Sequence, residues 1–229
     1  MIWILFMATM AVSLWAAARV KWVYRRYSQG VVHSGLSGGE VSELILSRLG
    51  IRDVEITHAD GMLGDHYDPI HKRLVLSTDN FYGRSPAALG VAAHECGHAI
   101  QHARAYKPLH WRMAAVGITT FASQIVVWLP LLGMFTGLVE PLTGALAMAS
   151  AWGVIMLFNL VTLPVEFDAS RRAKAVLADF GFIAPGEEAT GVKRVLDAAA
   201  WTYVAAFVTS LAYSLWHLLP LLLGHRARE

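Results

Sequence analysis

Two apolar runs, Met113 to Val139 and Leu142 to Val165, are separated only by Glu140-Pro141. That spacing restricts the fold severely. Inside hydrocarbon every backbone N–H and C=O must find a partner within the protein, so a lone segment that crosses has to be a helix. Two crossing helices joined by so short a break form an antiparallel hairpin that returns the chain to the side it left.

Two further runs extend the pattern. Met1 to Ala18 is uncharged and just long enough to span, and Ala199 to Leu223 carries Trp201, Tyr203 and Trp216, residues suited to membrane interfaces. Arg19, Lys21, Arg25 and Arg26 follow the first run, whereas a cleaved signal peptide has its positive charge ahead of the apolar stretch. The first run is therefore expected to be an anchor. Composition agrees: 55% of the 229 residues are hydrophobic and 16% charged, against roughly 25% charged in a soluble domain.

The expected organisation is a transmembrane helix at 1–18, a membrane-proximal region at 19–112, transmembrane helices at 113–139 and 142–165, a polar segment at 166–198, and a fourth span at 199–223. Of the 19 Lys and Arg residues, 12 lie between the first two spans, 5 between the last two and 2 after the fourth. The first two groups share one membrane face, which the positive-inside tendency assigns to the cytoplasm. A net charge of +2 gives no reason to expect a nucleic-acid partner. The expected partners are the lipid bilayer and a peptide or protein substrate.

Between the first two spans the chain is polar. Ser37-Gly-Gly-Glu40 reads as a capped helix start, with Val41, Leu44, Ile45 and Leu49 on one side and Gly50 at its end. Val54-Glu-Ile56 and Lys72 to Ser77 alternate like strands, which predicts a hairpin or strand pair around the Gly61 to Pro69 loop. The second strand, if it has an exposed edge, would suit an extended peptide. Asp65-His66-Tyr67-Asp68 concentrates titratable groups in that loop.

The chemistry is concentrated in Ser85 to Ala103. Ser85 and Pro86 form a helix start, and within the helix stands His94-Glu95-Cys96-Gly97-His98. At roughly 100° per residue the two histidines are about 40° apart around the helix and one turn along. Both imidazoles therefore project from one side. Leu89, Ala93, Cys96 and Ile100 give the opposite side an apolar surface to bury. His-Glu-x-x-His is the zincin pattern, in which two imidazoles bind zinc and the Glu after the first His is placed to take a proton from water. Cys96, the chain's single cysteine, falls on the buried side and not at the metal.

A catalytic zinc needs a third protein ligand. Glu166, returned by the hairpin to the His side, completes a gluzincin-like His₂Glu set; pairing with Arg171 or Arg172 is its alternative use. A helix is expected to open at Val165 after Pro164 and to run to about Phe180. Gln124 and Asn159, inside the spans, are expected to face another helix or a cavity.

Four segments then carry a resemblance: Gly64-Asp-His-Tyr-Asp-Pro69, Ala92 to His102, Leu163-Pro-Val-Glu-Phe-Asp-Ala-Ser-Arg-Arg-Ala173 and Ala198 to Ala205. In this order, over almost the whole chain, they resemble the YugP family of bacterial membrane-bound neutral zinc metallopeptidases. The resemblance implies a zinc endopeptidase in a bacterial cytoplasmic membrane, with one Zn²⁺ and Glu166 as third ligand. More distantly the chain is similar to the Ste24 and HtpX type of membrane protease, whose Glu-x-x-x-Asp motif supplies that ligand. Ser170 stands where that motif has Asp, so the groups behind the ligands must be arranged differently, with Asp168 a candidate.

The fold class expected is mainly α: a polytopic helical membrane protein of about four transmembrane helices, with a membrane-proximal zincin-like α+β region containing a small β-sheet. The function expected is zinc-dependent peptide hydrolysis with Glu95 as general base. Metal ligands are His94, His98 and Glu166; His102, His66, Tyr67, Asp168 and Arg172 are candidates for orienting ligands or stabilising an oxyanion. The alternative is a non-proteolytic membrane scaffold or chaperone-like protein with a structural metal site.

Overall fold

The computed structural model describes residues 2–60 and 64–226, and of residues 220, 221 and 223–226 the backbone alone. Gly61 to Leu63 of the expected loop and the Ala227 to Glu229 tail lie outside the described residues. The chain is mainly helical: α1 (Ile2–Tyr27), α2 (Gly38–Arg48), β1 (Glu55–Ala59), β2 (His66–Asp68), β3 (Arg73–Ser77), α3 (Thr78–Tyr82), α4 (Pro86–Ala103), α5 (Lys107–Thr136), α6 (Pro141–Asp179) and α7 (Glu187–Arg226). Four helices, α1, α5, α6 and α7, are long and apolar enough to cross a membrane.

The residues divide into two compact units. The first comprises Met1–Ser13, His110–Leu163 and Tyr203–Glu229. Many of its large apolar side chains face outward, with Phe135 78% and Leu138 86% exposed, as lipid-facing residues would be. Some polar groups in its helices find partners, while buried Trp152 Nε1 and Thr209 Oγ1 have none among the described residues. Asn159 Nδ2 donates from α6 to Ser210 Oγ (3.0 Å) and the Ala206 carbonyl (3.2 Å) on α7. Gln124 departs from expectation: it is exposed, and its Oε1 accepts from Trp128 Nε1 on the same helix at 2.8 Å. An aromatic donor one turn away spares it an interhelical partner.

The second unit, Leu14–Leu109 with Pro164–Thr202, holds the sheet, α2, α3 and α4 and parts of the long helices. Its core joins Val41, Ile45, Leu74, Leu76, Leu89, Ala93, Cys96, Ile100, Leu177 and Val192. The capping box forms as Ser37 accepts from the Glu40 N–H while Glu40 Oε2 accepts from the Ser37 N–H (2.7 Å). Ser85 likewise caps α4 by accepting from the Ala88 N–H (3.2 Å), and Pro86 occupies the first turn.

The two alternating segments meet in a sheet, as a parallel strand pair and not as a hairpin. The sheet order is β1-β3-β2, with β1 parallel to β3 and β2 antiparallel to it. The hairpin is instead β2 to β3, closed by a turn in which Lys72 takes a positive φ of 50°. The long connection after β1 permits a parallel crossover that a tight turn could not. Consequently β3 is the central strand with both edges paired, so of the two readings open for it the structure has the covered strand.

A second correction concerns α6. Pro164 lies inside one continuous 39-residue helix and does not start a new one. The helix thereby carries the chain unbroken from Pro141 past Glu166.

Candidate metal centre

Gly97 determines how closely α4 and α6 approach. A Cβ at that position would stand 2.6 Å from the Ala169 carbonyl oxygen and 3.0 Å from its Cα. Only glycine leaves that space. The contact draws α6 against the face of α4 that carries the two histidines.

There the side chains converge. Glu166 Oε2 lies 3.2 Å from His94 Nε2 and 3.6 Å from His98 Nε2, and the two rings meet edge to face with centroids 4.8 Å apart. One donor atom from each of the three residues lies within 4.8 Å of the others. The Glu166 carboxylate is buried, at 2% exposure, between two imidazoles. Burial alone would lower the pKa of His98, yet its hydrogen bond to Glu166 and the charges of Glu166 and Glu95 raise it. Two carboxylates thus favour positive charge on the imidazole side of this cluster, and a His₂Glu donor set fits a divalent zinc. Glu95, 7% exposed, follows His94 on the same helix.

The pairing with Arg171 and Arg172 that was the alternative use of Glu166 falls to Asp168. Asp168 takes both neighbours: Arg172 Nε donates to Oδ2 at 2.5 Å and Arg171 pairs with Oδ1. Asp168 also accepts from Gln101 Nε2 (2.9 Å), whose Oε1 is 3.0 Å from His98 Nδ1. Ser170 Oγ lies 3.1 Å from His94 Nδ1. Each imidazole is therefore held at Nδ1 by a neutral group. Sequence reasoning missed Gln101, although its position three residues after His98 places it within reach on one helix face; Ser170 was noticed only as a departure.

The other candidates are spread wider. Tyr67 O–H and His102 Nδ1 are hydrogen-bonded at 2.8 Å, beside a cavity of about 320 Å³ lined also by Asp53, Lys72 and Ala99. Burial, with the charges of Asp53 and Asp68, pushes Tyr67 up to about 12. His66 is exposed, its Nδ1 only 2.6 Å from the Gly64 carbonyl, and does not join the cluster. Asp65 has a structural task, accepting from the Ser77 N–H (2.8 Å) and Asn80 Nδ2 (2.9 Å). Cys96 is fully buried on the opposite side, where desolvation holds its thiol near 12.

Residues 2–223 match the family described as "Putative neutral zinc metallopeptidase". The chain belongs to that family. It is also 42% identical over 207 residues, 90% of each chain, to a protein of Bacillus subtilis (strain 168) named "Putative membrane protease YugP". No solved structure matches. Family membership agrees with the zinc-compatible donor set, and the four apolar helices with a membrane protein.

Proposed function

We propose that this protein is a membrane-embedded zinc endopeptidase, with His94, His98 and Glu166 as ligands and Glu95 as general base. The observation that carries the reading is the convergence of His94 Nε2, His98 Nε2 and Glu166 Oε2, with Glu95 following His94 on the same helix. A His₂Glu zinc, when bound, supplies a Lewis acid that acidifies water and polarises a carbonyl.

The chain's own groups do the rest. Glu95 takes the proton from the attacking water and passes it to the nitrogen of the leaving amine. Ser170 holds the His94 ring through Nδ1, which keeps Nε2 directed at the ligand cluster. Membrane-associated or unfolded proteins are the substrates, cleaved on the cytoplasmic side, where the Lys and Arg distribution puts the polar segments.

The test measures zinc and casein hydrolysis together in detergent-purified wild type and Glu166→Ala. About one zinc per chain with cleavage, both lost in the variant, is the expected result. Full zinc retention in Glu166→Ala would remove Glu166 from the ligand set. Zinc in the wild type without any cleavage would favour the non-proteolytic scaffold.

A further inference from the structure

We infer that Gln101 is a positioning residue of the metal site, holding His98 in the tautomer that leaves Nε2 free for a metal and tying α4 to the backbone directly before Glu166. Its side chain is fully buried. The amide orientation follows from its partners: Nε2 is 2.8 Å from the Val165 carbonyl and 2.9 Å from Asp168 Oδ2. A carbonyl only accepts, and Asp168 is held as a carboxylate by two guanidiniums, so the NH₂ group must point toward both.

Oε1 then faces His98 Nδ1 at 3.0 Å. An amide oxygen cannot donate, so Nδ1 carries the proton, and Nε2 is the nitrogen that gives up its own proton to present a lone pair to a metal. That is the atom facing Glu166. One side chain thus sets the donor atom of one ligand and the register of the helix that supplies another. An apolar residue of the same length could fill the space but could do neither.

The metal-affinity part of this inference rests on the zinc reading; the tautomer part does not. Full-length protein in detergent, labelled with ¹⁵N-histidine, is compared with Gln101→Met and Gln101→Glu. Zinc affinity is measured by competition with a chromophoric chelator. In zinc-loaded wild type, His98 is expected to coordinate through Nε2 with a solvent-protected Nδ1–H.

Gln101→Met is expected to bind zinc about 10- to 100-fold more weakly and to lose that protection. Gln101→Glu, which can accept from His98 but cannot donate to Val165, retains Nδ1–H and still binds zinc less tightly. Coordination of His98 through Nδ1, or unchanged affinity and protection in Gln101→Met, would overturn the inference. If Gln101→Met does not fold, the wild-type spectrum decides alone. If the wild type binds no zinc, the peptidase reading fails, and the solvent protection of the His98 Nδ1–H is read from metal-free protein.

Discussion

The carbonyl oxygen of Ala169 lies 2.6 Å from the point where a Cβ on Gly97 would stand. Gly97→Ala must therefore push α4 and α6 apart, at a cost of about 1–3 kcal/mol for overpacking. Zinc content is expected to fall along with the melting temperature. Gly90→Ala is the control: its nearest foreign atom is Val192 Cγ1 at 3.5 Å, an ordinary contact, and alanine raises helix propensity by up to about 1 kcal/mol. A Gly97→Ala protein with wild-type zinc and stability would show that this approach does not hold the site together.

Glu95→Gln keeps the shape of the side chain and removes its basicity. Zinc stoichiometry should stay at the wild-type level while casein hydrolysis falls by roughly 10²- to 10⁴-fold, the range for loss of a general base. Cleavage at the wild-type rate would assign the proton transfer to another group.

Ser170 lies 3.1 Å from His94 Nδ1. Ser170→Ala is expected to weaken zinc binding about 10- to 100-fold, as loss of a ligand-orienting group commonly does. Ser170→Asp gives the imidazole an anionic partner, which raises ligand basicity, and should bind zinc more tightly than wild type. Chelator competition on the two variants checks both directions.

Asp68 accepts from the Ile70 N–H (2.9 Å), the His71 N–H (3.2 Å) and His71 Nδ1 (2.6 Å). The His71 side-chain bond is the largest cause lowering its pKa from 3.8 to about 2. A carboxylate with a depressed folded-state pKa stabilises the turn above its ordinary pKa and loses that contribution as pH falls through the folded value. Hydrogen-exchange protection of the β2–β3 hairpin should thus hold down to about pH 4 and decline toward pH 2. Asp68→Asn should abolish that dependence. An equal decline in wild type and variant would place the acid sensitivity elsewhere.

Much of the architecture was legible because it rests on local physics. A run of apolar residues has few options in lipid, and caps such as Ser37 with Glu40, or Ser85 with Pro86, act within four residues of chain. His94 and His98 share a helix side because α-helical geometry puts them there. The sheet was less legible: β1 and β3 alternate alike whether paired parallel or antiparallel, and three-residue β2 carries no periodicity to detect. Pro164 reads locally as a break, yet the helix continues through it.

By itself, then, the sequence determined four long apolar helices and a two-histidine face on a capped helix, since each follows from interactions between near neighbours. Only the tertiary structure decided that Glu166 meets that face, that Asp168 and not Glu166 takes Arg171 and Arg172, and that Gln101 and Ser170 hold the imidazoles. Those pairings join residues more than 60 positions apart, apart from the local bonds of Asp168 and Gln101. They depend on two backbones coming into contact at Gly97 and Ala169, a distance that no local pattern encodes.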